Sequence, residues 1–137
     1  MRNNEPNTWV LTDVALVIRG ATLVPNEVTK LLQLEPTAVR QPGPDPLGYV
    51  PDTAGRWRLQ SDDLSTKTLS GQLDAVMSSI EPRLSDLQEL VARGADACIR
   101  ITGHAGNDSQ IVLAAAEMER IARLGIPLSL SPSLSER

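Results

Sequence analysis

The sequence predicts an α+β protein: a single domain with a mixed, mostly antiparallel β-sheet and helices packed mainly on one face. First, a chain of 137 residues suits one hydrophobic core. Second, segments that alternate in hydrophobicity and segments with helical spacing follow each other without the regular period of a repeat protein. Third, residues 9–19 are apolar on both alternating sets, as in a central strand. We expect the domain to span residues 9–130, between tails at 1–8 and 131–137.

The predicted central strand leads into a short helix. Asp13 interrupts one apolar set of the strand, so it is either exposed or buried with a partner. Gly20 permits a turn, and Pro25 suits the first helical position because its missing N–H would have no partner there. Val24 then falls at the N-cap, where its side chain accepts no hydrogen bond, and Pro36 lies beyond the helix end.

A proline-rich segment separates this helix from the next alternating segment. Prolines and glycines exclude helix and central strand over residues 42–51, which predicts a long surface loop of a kind that often carries function. Residues 55–60 then alternate, with Trp57 on one side and Arg56 and Arg58 on the other. We expect a strand with one wet face and Trp57 in the core.

The second half of the chain predicts helices, then strands. Apolar residues recur at helical spacing over residues 69–80 and again over 84–91, and Pro82 between them indicates either two short helices or one bent helix. Residues 96–102 alternate as a strand, 103–109 resemble a turn, and 110–113 could form the hairpin partner. A helix over 114–124 and a last strand over 126–130 complete the prediction.

Composition excludes several classes of function. The formal net charge of −4 and a pI near 4.9 disfavour nucleic acid and anionic membranes as partners. A single cysteine, Cys98, allows no internal disulfide and fits a reducing cytoplasm. The sequence has no apolar run that resembles a signal peptide or a membrane helix. We therefore expect a cytoplasmic protein.

Several segments together resemble DUF4279, a bacterial family of domains of unknown function. They are residues 17–37, Gly55 with Trp57 and Leu59, the helix over 69–80, and residues 121–126 with the alternating leucines that follow. Val24 stands where an Asp is usual in the family and Gln33 where a Gly is usual. Serines stand in the last strand where the family tends to have an Asp and an aromatic residue. The resemblance implies the fold and a bacterial origin, and it supplies no activity.

No catalytic, cofactor or metal site is predicted. The only histidine, His104, falls in the predicted turn near Asp108, where a solvated residue is expected. Cys98 and His104 are not spaced as a thiolate–imidazolium pair, and one Cys and one His fall short of a zinc ligand set. The aspartates of the two loops before and after residues 55–60 lack the spacing of a calcium loop.

The preferred hypothesis is a non-enzymatic protein-binding module, similar to an immunity protein that neutralises a basic toxin through charge complementarity. Its expected surface is the proline-rich loop with Asp45, Tyr49 and Asp52, flanked by Arg56 and Arg58.

The alternative is a small-molecule or metal-dependent enzyme whose site lies between the proline-rich loop and the His104 turn. Arg40 or Arg56 would bind an anion there, and His104 or an Asp would move protons. A homodimer through an edge strand is compatible with either hypothesis.

Overall fold

The computed structural model describes residues 8–49, 53–61, 68–106 and 108–134. It contains strands, helices and one 3-10 turn in the order β1 (Val10–Gly20), α1 (Pro25–Leu32), β2 (Ala38–Arg40), β3 (Gly55–Gln60), α2 (Leu69–Ile80), the 3-10 turn (Glu81–Arg83), α3 (Leu84–Ala92), β4 (Asp96–Ala105), α4 (Ala115–Leu124) and β5 (Leu128–Leu134).

The strands form one mixed sheet in the order β2-β3-β1-β4-β5. Three of its pairings, β2–β3, β3–β1 and β1–β4, are antiparallel. The fourth, β4–β5, is parallel, and α4 supplies the crossover that a parallel connection needs. The two-sided apolar pattern of residues 9–19 thus correctly predicted the central strand, and the predicted α+β fold with a mostly antiparallel mixed sheet is confirmed.

The core lies between one face of the sheet and the helices. Val14, Leu16 and Ile18 of β1 are fully buried at its centre. Trp57 of β3 is also fully buried, as predicted, and its indole N–H donates to the Thr29 hydroxyl of α1 at 3.0 Å. The helices contribute their buried apolar side chains to the same cluster, namely Val28, Leu32, Leu73, Val76, Met77, Ile80, Leu87, Leu90, Ile121 and Leu124. The predicted packing of the helices on one face is therefore confirmed.

The helix ends follow local chemistry. Helix α1 begins at Pro25 with Val24 at the N-cap and no side-chain hydrogen bond, as predicted. It ends at Gln33, which has a left-handed backbone with φ of 57° and accepts a 2.7 Å hydrogen bond from Arg83. At Pro82 the structure has two helices, because the 3-10 turn separates α2 from α3.

Two expectations for the C-terminal part are wrong. Strand β4 continues through Ala105, and residues 110–113 form no hairpin strand beside it, since their contact with the sheet is one isolated bridge from Gln110 to Thr8. The edge of β4 that faces away from β1 pairs instead with β5, in a parallel arrangement. Strand β5 also extends to Leu134, beyond the predicted domain end at residue 130. Residues 131–133 are exposed on this edge strand and do not belong to a tail.

Candidate functional site

The face of the sheet opposite the core carries the charged residues of strands β1 to β4. Because directly paired residues of antiparallel strands share a face, the register places Arg19, Arg40, Arg56, Arg58 and Arg100 together. We call this surface the arginine face. The helices that the structure describes pack on the other side, since their buried residues cluster with Leu16 and its neighbours on the core face.

The register sets the arrangement of these side chains. One row across the sheet contains Arg40 of β2, Arg56 of β3 and Arg19 of β1, each paired with the next. Asp96 of β4 pairs with Arg19 and ends this row. Arg58 lies one row further along. Adjacent strands are about 4.8 Å apart and successive rows about 6.7 Å. Several guanidinium groups can therefore contact one bound molecule.

Charge is divided unevenly between the two layers. The five strands carry five arginines against two aspartates, Asp13 and Asp96. The helical segments from α1 to α4, with the 3-10 turn, carry seven carboxylates against four cationic side chains. An acidic protein thus has a cationic sheet face and an acidic helical layer.

An ion-pair cluster holds one cation of the helical layer. Arg120 of α4 donates to Glu81 at 2.8 Å and to Asp74 at 2.9 Å, linking α4 to α2 and the 3-10 turn. The hydrogen bond from Arg120 lowers the pKa of Glu81 below its ordinary value, against a smaller opposing effect of desolvation. The same pairing raises the pKa of Arg120. This arginine is therefore neutralised locally.

The centre of the arginine face is small and apolar. Ala15 and Val17 of β1 point to this side, yet they are only 7% and 5% exposed. Their strand partners include Arg58 and Arg100, whose long aliphatic stems can cover an apolar surface while the guanidinium groups remain in water. The face therefore combines an apolar floor with cationic groups around it.

Asp13 lies at one end of this face and is fully hydrogen-bonded. Its carboxylate accepts from the Val14 N–H and the Ser61 hydroxyl, each at 2.9 Å, and from the side-chain amide of Gln60. The half-buried Asp13 thus has three neutral hydrogen-bond partners, and it is neither an exposed residue nor part of a buried charged pair. No arginine is neutralised by Asp13 among these contacts.

A cleft of about 340 Å³ lies at the Asp96 end of β4, where side chains of the arginine face meet the end of α3 and the connection from α4 to β5. Arg19, Cys98, Arg100 and Pro127 line it, with Asp96 at one end. Cys98 is half-buried here. The Nε of Arg100 is buried and has no hydrogen-bond partner within the described residues.

Two further clefts lie away from this face. One, of about 430 Å³, is lined by residues around Trp9 and Leu11 of the β1 start, by Leu69 and by Ile111. The other, of about 310 Å³, lies between the turn after Gly20 and the end of α3. The first has polar but no charged side chains in its lining, and the second has one of each charge, Glu27 and Arg93.

The structure brings together part of the predicted site. Arg40, Arg56 and Arg58 share the arginine face, and the Arg40 guanidinium donates to the Ala54 carbonyl at 2.6 Å. Asp45 accepts hydrogen bonds from backbone N–H groups of its own loop, including that of Tyr49 at 2.9 Å. Asp52 lies outside the described residues.

Tyr49 is 80% exposed. A tyrosine so exposed in a loop adjoining the cationic face is available for contact with a partner.

His104 and Asp108 lie far from the proline-rich loop. Asp96 and Gly55 lie at the Gly20 end of β1, whereas His104 pairs with Val10 at the other end. Eight residues of β4 separate Asp96 from His104, or about 26 Å of strand. The structure therefore does not form the site between loop and turn that the enzyme alternative required. Among the described residues, no group of three or more His, Cys, Asp and Glu could hold a metal ion.

Sequence reasoning missed Arg19 and Arg100. Each follows a buried isoleucine, Ile18 or Ile99, and so alternates onto the polar side of its strand. That alternation is visible in the sequence. The pairing of Ala15 with both Gln60 and Arg100, which places β3 and β4 on either side of β1, is not.

These features define a small α+β protein with a one-sided helical layer and an open, arginine-lined sheet. The chain belongs to the family of the domain of unknown function DUF4279, whose model matches residues 8–135. Comparison with curated proteins gave no match, and neither did comparison with solved structures. Within the described residues, no helix combines the length and apolar character needed to cross a membrane.

Proposed function

We propose that the protein is a non-enzymatic protein-binding module of the bacterial cytoplasm, and that it binds an acidic region of its partner through the arginine face. The observation that carries this proposal is the concentration of five arginines on one open sheet face of a protein with net charge −4. Cationic groups gathered on one face steer an anionic surface toward it and fix its orientation.

The chemistry of the face favours binding over catalysis. Arginine forms two-pronged hydrogen bonds to carboxylates and remains charged at every physiological pH, which suits recognition rather than proton transfer. Ala15 and Val17 are buried beneath these side chains, so a partner meets the arginines rather than the strand beneath them. An immunity-protein-like role is consistent with such a module, and the charge of this face points to an acidic contact surface on a toxin rather than a basic one.

A charge-reversal experiment tests the proposal. Arg58 is exposed on β3, and Arg123 is exposed on the helical layer, so Arg58→Glu and Arg123→Glu change the net charge equally on opposite sides. We expect affinity capture from the host lysate to recover the same partner with wild-type protein and with Arg123→Glu, and to lose it with Arg58→Glu.

The dependence of binding on salt concentration is a second test. Binding through this face should weaken steeply between about 50 and 300 mM salt, because screening reduces exposed charge interactions. Capture of no specific partner, or of one that Arg58→Glu retains at full strength, would contradict the proposal.

A further inference from the structure

The cleft between β1, β4, the end of α3 and the α4–β5 connection is the most specific feature beside the arginine face. Its walls combine cationic side chains, Arg19 and Arg100, with apolar groups such as Val17 and Pro127. Its volume of about 340 Å³ exceeds that of several water molecules. The cleft can therefore accept a side chain that has a short apolar stem and a polar end.

Arg100 gives the cleft an unused donor. Its Nε is buried without a hydrogen-bond partner within the described residues, whereas buried polar groups in proteins are nearly always paired. No ion pair joins Arg100 to a carboxylate in the described part of the chain. The Arg100 side chain lines the cleft, so a small movement of this side chain would bring the N–H to an oxyanion bound there and form a charge-assisted bond.

The carboxylate already present lies at the far end of the cleft. Asp96 is the strand partner of Arg19, two rows away from the row of Arg100. Asp13 lies one row from Arg100 on its other side, and its carboxylate accepts from three neutral donors. Neither carboxylate is ion-paired with Arg100 in the described part of the chain, so the guanidinium of Arg100 is available to an anion.

We propose that this cleft binds the carboxylate of an acidic side chain of the partner protein, with Arg100 as its principal hydrogen-bond donor. The inference rests on the proposed function and specifies its recognition chemistry. The guanidinium Nε and one Nη form a planar fork that matches the two oxygens of a carboxylate. The exposed Arg58 supplies longer-range attraction to the same acidic segment.

The first test observes the donor directly. In the NMR spectrum of the ¹⁵N-labelled full chain, the Arg100 Nε–Hε signal is assigned by its loss in Arg100→Lys. We expect hexaglutamate to shift this signal and hexaglutamine to leave it unchanged. Arg100→Lys, which keeps the charge but not the fork, should weaken hexaglutamate binding about tenfold. Arg123→Lys should bind as the wild type does, and thermal melting checks that both variants fold.

The second test uses the only cysteine in the sequence. Cys98 lines the same cleft, two residues before Arg100 on the same strand face. We expect hexaglutamate to slow alkylation of Cys98 by iodoacetamide several-fold, and hexaglutamine to have no effect. Equal alkylation rates with both peptides would contradict occupancy of the cleft.

The outcomes separate this inference from the proposed function. If Arg58→Glu abolishes hexaglutamate binding while the Arg100 signal stays fixed and Arg100→Lys binds normally, the cleft proposal is overturned and the arginine face remains a binding surface. If inorganic phosphate shifts the signal and hexaglutamate does not, the site takes a small oxyanion, and a polypeptide carboxylate is excluded as its occupant. If neither probe shifts the signal, the cleft proposal fails, and the capture experiment still decides the proposed function.

Discussion

Replacement of Gln33 by glycine should show how much strain the end of α1 stores. Gln33 has a φ of 57°, a left-handed conformation that costs an L-residue about 1 kcal/mol or more. Glycine relieves that strain but also loses more conformational entropy on folding, which leaves a net gain of about 1 kcal/mol over alanine at such a position. Both variants lose the hydrogen bond from Arg83, worth about 0.5 kcal/mol at an exposed site.

The expected order of stability follows from these terms. Gln33→Ala keeps the strain and loses the hydrogen bond, so its free energy of unfolding should fall by about 0.5 kcal/mol. Gln33→Gly should exceed Gln33→Ala by about 1 kcal/mol and the wild type by about 0.5 kcal/mol. Urea unfolding with an unchanged m-value measures all three, and 1 kcal/mol corresponds to about 4 °C in Tm.

Equal stability of the alanine and glycine variants would refute this reasoning, because it would mean that residue 33 carries no left-handed strain. Arg83→Ala is the control for the hydrogen bond. It should cost about 0.5 kcal/mol alone and add little to Gln33→Ala, since both remove the same interaction.

Two further predictions concern other parts of the fold. A Cβ on Gly55 would overlap the backbone carbonyl oxygen of Leu23, so Gly55→Ala should lower the free energy of unfolding by about 3 kcal/mol in urea titration; Gly106→Ala, where a Cβ meets nothing within 4 Å, should stay within about 0.5 kcal/mol of wild type. Because the hydrogen bond from Arg120 lowers the pKa of Glu81 below 4.5, its stabilising effect is present above that pH and is lost as the pH falls through the folded-state pKa. Glu81→Gln should therefore lose less stability than wild type between about pH 5 and pH 3, and an identical acid-unfolding curve would show that this pair contributes nothing.

The sequence predicted the structure best where a local pattern of residues indicates whether each side chain is buried or exposed. Residues 9–19 are apolar on both sides, which is the pattern of a strand with neighbours on both edges. Trp57 shares its alternation with Leu59, which placed it in the core. Pro25 likewise fixed the start of α1. Each of these predictions depended on residues close together in the chain.

The candidate site depended on which strands become neighbours. Arg100 and Arg58 are far apart in sequence and approach each other only because β3 and β4 both pair with β1. The place of β5 was also unpredictable from local pattern, since a turn-like segment after Gly103 gives no sign that β4 continues and pairs in parallel. His104, predicted in a turn, therefore lies on a strand.

The two edges of the sheet limit how the protein can associate. Strand β2 spans only three residues, and β5 has Pro132, which removes one N–H from its backbone. Short or proline-interrupted edges offer an incomplete ladder to a strand from another chain, and this protects a protein against open-ended sheet growth. The molecule can therefore expose a broad sheet without polymerising through its edges. A partner must then be recognised by side chains across the face, because backbone pairing along the sheet edge is incomplete.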